Sequence, residues 1–325
     1  MSDPQVPTLV PAATREPASG GPTAALATST APSCDLGSAA SVPAPEVWDL
    51  VIEPREGWFN LHLDDLWRYR DLVTLFVRRD FVAQFKQTIL GPAWFVLQPL
   101  LTTIMFTVVF GNIAKLDTDG LPKILFYMSG NILWLYFSTC LTSTSNTFAG
   151  NAHLFGKVYF PRLAVPVAVV ISQILRLALQ FVFFLGFWVV YALFTDADIH
   201  FTPHALLLPL LVVIMAALGL GCGILISAVT TKYRDLQYLV QFGVQLAMYT
   251  TTTIFPLSAI KGGNARYFIL ANPMTPIIET FRYGFLGSGV FDWGHLVYSM
   301  VCAVVLLAAG VVIFNHVERT FMDTV

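Results

Sequence analysis

Charge is absent from this sequence in long blocks. No Asp, Glu, Lys or Arg lies between Lys86 and Lys115, and none lies between Lys123 and His153. A hydrocarbon core about 30 Å thick takes a helix of about 20 apolar residues, and a charge inside it is costly. The blocks therefore predict spans near 93–113 and 124–143, followed by others near 164–194, 205–229, 236–258 and 296–315. Only Arg176 interrupts the third. Composition agrees: 56% of the residues are hydrophobic and 12% charged, against about 25% charged in a soluble domain. A net charge of −2 leaves no basic excess for nucleic acid. The four cysteines are scattered without a CxxC, which argues against a disulfide framework or a zinc site.

The expected fold class is thus all-α integral membrane, with six transmembrane helices. The stretch from Tyr267 to Ile278 is apolar but too short to cross, and Asn272-Pro273 and Pro276 break it. It reads as re-entrant half-helices before the last span, returning to the side they entered. Six spans put both termini on one side. Eleven Lys and Arg fall in segments on that side and five on the other: Lys115, Lys123, Lys261, Arg266 and Arg282. The positive-inside rule then makes both termini cytoplasmic.

Ahead of the spans the chain changes character. Residues 1–47 hold eight of the nineteen prolines and no aromatic residue. Such a stretch cannot bury enough apolar surface to fold, so 1–55 reads as a disordered tail. Within 56–92 the apolar residues Leu63, Leu66, Val73, Phe76, Val77, Phe81, Phe85 and Ile89 recur at helical spacing among Arg and Lys. This region reads as an amphipathic helix at the membrane surface, closed by the Gly91-Pro92 bend. Residues 93–325 make up the six-span domain.

Several residues are candidates for function. Trp94, Phe106, Phe110 and Trp134 belong to an aromatic cluster on the first two spans. Flat rings stack on sugars, and they also serve as interfacial belts. Gln173, Arg176 and Gln180 share one helical face, as do Gln237, Gln241 and Gln245. Such stripes either line a path for a hydroxyl-rich substrate or bond one helix to another. Arg176 lies beyond the midplane of its span, and Glu279, at the end of the re-entrant segment broken by Asn272, Pro273 and Pro276, is its expected ion-pair partner. Gly219 and Gly223 have the GxxxG spacing of close helix packing. Gly150 and Gly156 precede Lys157, but five residues separate them and Val158 follows, so the chain carries no recognisable phosphate-binding loop. His200 and His204 lie near Asp196 and Asp198, but Pro203 intervenes, and no metal site is assigned there.

The order of Gly91-Pro92-Ala93-Trp94, Gln98-Pro99-Leu100, the inner segment Gly156-Lys157-Val158-Tyr159-Phe160-Pro161-Arg162, and Asn272-Pro273-Met274-Thr275-Pro276 before the last span is distinctive. It resembles the permease subunit of ABC exporters of the polysaccharide and polyol-phosphate class, over about residues 60–325. The resemblance implies a bacterial inner-membrane protein that pairs with a second copy to form a pore for lipid-linked polysaccharide. It also implies two separate ATPase subunits carrying ATP and magnesium, with no cofactor in this chain. It makes the segment between spans two and three a coupling element, here Asn151 to Arg162, with Phe155, Val158, Tyr159 and Phe160 as apolar anchors, and it makes the half-helices before span six, with Asn272, Pro273, Pro276 and Glu279, the outer gate. The rival readings are a permease for a small drug or lipid, and a membrane acyl- or glycosyltransferase. The enzyme needs acid and base groups converging near one membrane face; spans one, two, four, five and six contain no Asp, Glu, Lys or Arg.

Overall fold

The computed structural model describes residues 67–86, 89, 91–147, 150, 161, 163–195, 198–230, 233, 235–260 and 262–321, with backbone alone at 84–85 and 315–321. The expected tail and all of the coupling element except Pro161 lie outside them. Among the described residues all regular structure is helical. The helices are α1 (Arg70–Phe85), α2 (Trp94–Phe106, continuing as a π-helix over Thr107–Ile113), α3 (Lys123–Ser145), α4 (Ala164–Phe194), α5 (Leu208–Thr230), α6 (Leu236–Tyr249), α7 (Asn264–Leu270), α8 (Met274–Leu286) and α9 (Trp293–Phe321).

Five segments are long and apolar enough to cross a membrane: Gly91–Ile113, Lys123–Ser145, Ala164–Phe194, Pro203–Thr230 and Trp293–Phe314. The expected fifth span, 236–258, is different. α6 has only 14 residues, about 21 Å at 1.5 Å per residue, and the chain then turns at Thr250–Thr253. Apolarity alone does not register this stop. The hydroxyls of Thr250 and Thr251 donate to the carbonyls of Ala247 and Met248, at 2.8 and 2.7 Å. The carbonyls of Thr252 and Thr253 are taken by Arg282. These bonds satisfy the end of the helix and release the backbone from it.

α3, α5 and α9 form the centre of the bundle, with α5 in the middle. α5 is thin where it is squeezed. A Cβ on Gly219 would lie 2.7 Å from Cβ of Cys140, and one on Gly223 would lie 2.5 Å from Cβ of Thr144, both on α3. On the opposite side a Cβ on Gly221 would lie 2.7 Å from the backbone of Leu306 and Leu307 on α9. The glycine triplet therefore serves close packing on two faces. The apolar core runs through α3, α4, α5, α8 and α9, with Tyr127, Phe184, Met215 and Ile278 fully buried. α1 packs a second cluster: Val73 and Phe76 lie against Ala164, Val165, Ala168, Ile224 and Phe314. Its buried face thus caps the ends of α4, α5 and α9.

Gly221→Ala must push α9 away from α5, because backbone and not a flexible side-chain tip lies in the way. It should cost about 1–3 kcal/mol and lower the thermal midpoint in detergent. Gly186→Ala on α4, where nothing lies within 4 Å of the new methyl group, should leave that midpoint unchanged or raise it.

Candidate functional site

The most polar buried site centres on Arg282 of α8, which with Glu279 is only 1% exposed. The guanidinium Nε donates to Ser129 Oγ at 3.2 Å, and Nη2 donates to the carbonyls of Phe126 and Thr253 at 3.3 and 3.2 Å. Nη1 donates to the Thr252 carbonyl and lies 3.5 Å from Glu279 Oε1. Four acceptors thus take hydrogen bonds from the guanidinium, and the Glu279 carboxylate adds an ion pair, with no hydrogen bond to its Oε1 among the described residues. The cation also lies 3.7 Å from the centre of the Phe126 ring. The other carboxylate oxygen of Glu279 accepts the Val290 N–H at 3.1 Å. Gly130 makes the site possible, since a Cβ there would meet Arg282 Nη2 at 2.9 Å and the Thr253 backbone at 3.0 Å.

Two expectations are corrected here. Glu279 takes Arg282 as its cation, one helical turn away on the same helix, and not Arg176 on α4. Arg282, counted from the sequence as an outer-loop charge, lies in the core. The sequence signal was present as a Glu-x-x-Arg pair inside an apolar segment, at i and i+3.

Arg176 sits with its guanidinium carbon 4.2 Å from the centre of the Phe95 ring on α2. Gln180, one turn along α4, donates from Nε2 to the Phe95 carbonyl at 3.0 Å. The reason lies in α2. Pro99 has no N–H, so the carbonyl four residues earlier, that of Phe95, loses its helical donor. Gln180 replaces it from the neighbouring helix. Asn131 of α3 adds bonds to the Pro99 carbonyl at 3.1 Å and to Thr103 Oγ1 at 3.4 Å. For Gln180, then, bonding between helices is what the stripe does. Gln173 is also buried, with no hydrogen bond to its Oε1 among the described residues.

The stripe on α6 is placed otherwise. Gln241 and Gln245 are exposed, Gln237 is half-buried, and the helix has no buried residue. Among the aromatics, Trp94 is exposed and Trp134 is buried. Phe106 packs edge-on against Phe110 and Tyr127, with centroids 5.5 and 6.3 Å apart. His204 packs against Tyr283 and Phe291, and His200 Nδ1 lies 3.5 Å from Asp198.

The loops at one end of the bundle are tied together. Ser258, before α7, donates to the Asp119 carboxylate, and Ser288, after α8, donates to the Asp119 carbonyl at 3.3 Å. The α7–α8 pair therefore begins and ends at the same end of the bundle. Its turn is held from α9: Tyr298 donates to the Ala271 carbonyl and Ser299 to that of Pro273, both at 2.8 Å. Asn272 Oδ1 accepts the Met274 N–H at 3.0 Å, starting α8, and Pro276 falls in the first turn, where no N–H is needed.

Residues 71–286 match the family model described as ABC-2 type transporter. The chain is also similar to three curated proteins over most of its length. It is 26% identical over 262 residues to an O-antigen export system permease protein RfbA from Myxococcus xanthus, covering 80% of this chain and 98% of that one. A protein of the same description from Klebsiella pneumoniae is 22% identical over 253 residues, covering 78% and 94%. The capsule polysaccharide export inner-membrane protein CtrC of Neisseria meningitidis is 20% identical over 261 residues, covering 79% and 95%.

The account of Pro99 predicts a dependence between two helices. Gln180→Leu leaves the Phe95 carbonyl without a donor and should cost about 1 kcal/mol in thermal stability. Pro99→Ala restores the helical N–H, so the same Gln180 substitution in that background should cost clearly less. Equal costs in the two backgrounds would show that the bond does not compensate for the proline.

Proposed function

Because the chain belongs to the ABC-2 type transporter family, a family of transport permeases, we propose that it is the membrane-spanning subunit of an ATP-driven exporter of lipid-linked polysaccharide. The observation that carries this reading is the similarity to the Myxococcus xanthus O-antigen export permease across 98% of that protein. The absence of a phosphate-binding loop in the sequence fits a chain whose ATPase is a separate subunit. In this reading two copies enclose the pore in the bacterial inner membrane, and two ATPase subunits carry ATP and magnesium beneath it.

α6 is the remaining span in this proposal, completed by the chain up to Thr253, and α7–α8 is the re-entrant pair. The shared anchoring of Ser258 and Ser288 on Asp119 supports that assignment. So does the contact of the turn with Ser299, six residues into α9, which puts it about 9 Å below the helix start. Gln241 and Gln245 are exposed on the single chain, and amides at membrane depth face protein or water. They, with Gln237 and the exposed Trp94, are assigned to the pore or to the contact with the second copy. Phe106 and Phe110 belong to the same wall; Trp134, Gln173, Arg176 and Gln180 shape it from behind. Asn272, Pro273, Pro276 and Glu279 belong to the outer closure.

Two experiments test the proposal. With both termini cytoplasmic, an Asp198→Cys variant should react with a membrane-impermeant thiol reagent in intact cells, and a Lys232→Cys variant should not. The reverse pattern ends the orientation. For the coupling element, aromatic anchors in a partner pocket typically contribute about 2 kcal/mol or more each. A Phe155→Ala, Tyr159→Ala double variant should therefore still insert but lose co-purification with the ATPase and surface polysaccharide. Normal values of both place the docking site elsewhere in the chain.

A further inference from the structure

A cleft of about 500 Å³ opens between α7 and α9, within the range of small-molecule sites. Gly262, Gly263, Arg266, Tyr267, His295 and Tyr298 line it, and Leu270 and Ala271 close its deeper part. Its chemistry is graded with depth. The stretch of α9 long and apolar enough to cross a membrane begins at Trp293, which is 57% exposed, with exposed valines further along the helix; an aromatic residue in that position marks the lipid–water boundary. His295 is two residues into the helix and Tyr298 five, or about 3 and 8 Å below that boundary. The cleft thus runs from water at the glycines and Arg266 down to Leu270, Ala271 and the Tyr298 ring.

Of the two basic side chains at the polar end, His295 has a carboxylate beside it and, among the described residues, Arg266 does not. Arg266 is half-buried, and among the described residues no carboxylate lies within ion-pair distance of it. His295 is held by Asp292, whose Oδ2 lies 3.6 Å from Nε2. The Tyr298 hydroxyl is committed to the Ala271 carbonyl, which leaves its ring as wall, and the Tyr267 ring is 76% exposed beside it. A half-buried guanidinium at the water boundary, above an apolar floor, suits one kind of ligand: an oxyanion joined to a hydrocarbon chain.

We propose that this cleft binds the phosphate group of a membrane amphiphile, with Arg266 on the phosphate and Leu270, Ala271 and Tyr298 along the first carbons of the chain. Two sources share that chemistry, a bilayer phospholipid and the phosphate-linked lipid of a glycan carrier. The site rests on the boundary at Trp293 and on Arg266, so it stands or falls separately from the identity of the exported cargo.

The test is native mass spectrometry of the purified full-length protein with three added probes: phosphatidylglycerol, diacylglycerol and a prenyl diphosphate-linked sugar. The wild type should retain the two phosphate amphiphiles over diacylglycerol. Arg266→Gln should weaken that retention about tenfold, the loss of one charge-assisted contact, and Arg266→Lys should keep part of it. Preference for the prenyl diphosphate identifies the carrier as the occupant, and preference for phosphatidylglycerol identifies the bilayer; either supports the site. Should Arg266→Gln fail to insert, Arg266→Lys, which keeps the charge but loses the planar fork, must retain measurably less of the two phosphate amphiphiles than the wild type, with diacylglycerol unchanged. Equal retention of all three probes by the wild type, or retention unchanged in the variants, overturns the proposal.

Discussion

The end of this bundle that carries Asp119 depends on a buried cation. Arg282 joins α3, the turn after α6 and α8 through one guanidinium, and its partner Glu279 extends the connection to the loop before α9. A lone charge at such depth would cost several kcal/mol. It is tolerated because four acceptors take hydrogen bonds from it and a carboxylate of opposite charge lies 3.5 Å away. The same arrangement accounts for features that look unrelated in the sequence. Gly130 is small because the Thr253 backbone must pass against it. Thr250 to Thr253 stop α6 because two of their carbonyls are needed by the arginine. The α7–α8 pair stays with α3 because the arginine sits on α8. Apolar contact alone would let these short segments slide, since it has no direction; four directed bonds to one group do not.

Legibility in the sequence followed the physics of each feature. Long spans were readable because charge is excluded from a thick slab of the chain, and all five long helices lie within a few residues of where apolarity placed them. The tight packing of Gly219 and Gly223 was readable because GxxxG spacing encodes a face. The end of α6 was not, because threonine counts as mildly apolar and its stop depends on an arginine some thirty residues on. The partner of Glu279 was missed for a related reason. Assigning Arg282 to a loop by its charge removed it from consideration, whereas the pair lies within one helical turn. Gln180 was recognised as polar on a membrane helix, but its purpose lies in another helix, at a carbonyl that Pro99 leaves bare.

These constraints divide the chain into a firm part and a lightly held part. α3, α5 and α9 touch through glycines at backbone distance, and directed bonds fasten α8 to them. α2 differs in kind. It is interrupted by Pro99, it widens to a π-helix over Thr107–Ile113, and it leans on α3 and α4 through side-chain amides of Asn131 and Gln180. α6 differs further, with no buried residue at all. Each amide bond contributes about 1 kcal/mol and can be exchanged singly, whereas the glycine seams hold backbone against backbone along two faces. If two copies meet through α2 and α6, the surfaces that must part for a polymer are the ones held most weakly within each chain. The seams that must resist the same force lie behind them, and a helix that already borrows hydrogen bonds from its neighbours can exchange them without unfolding.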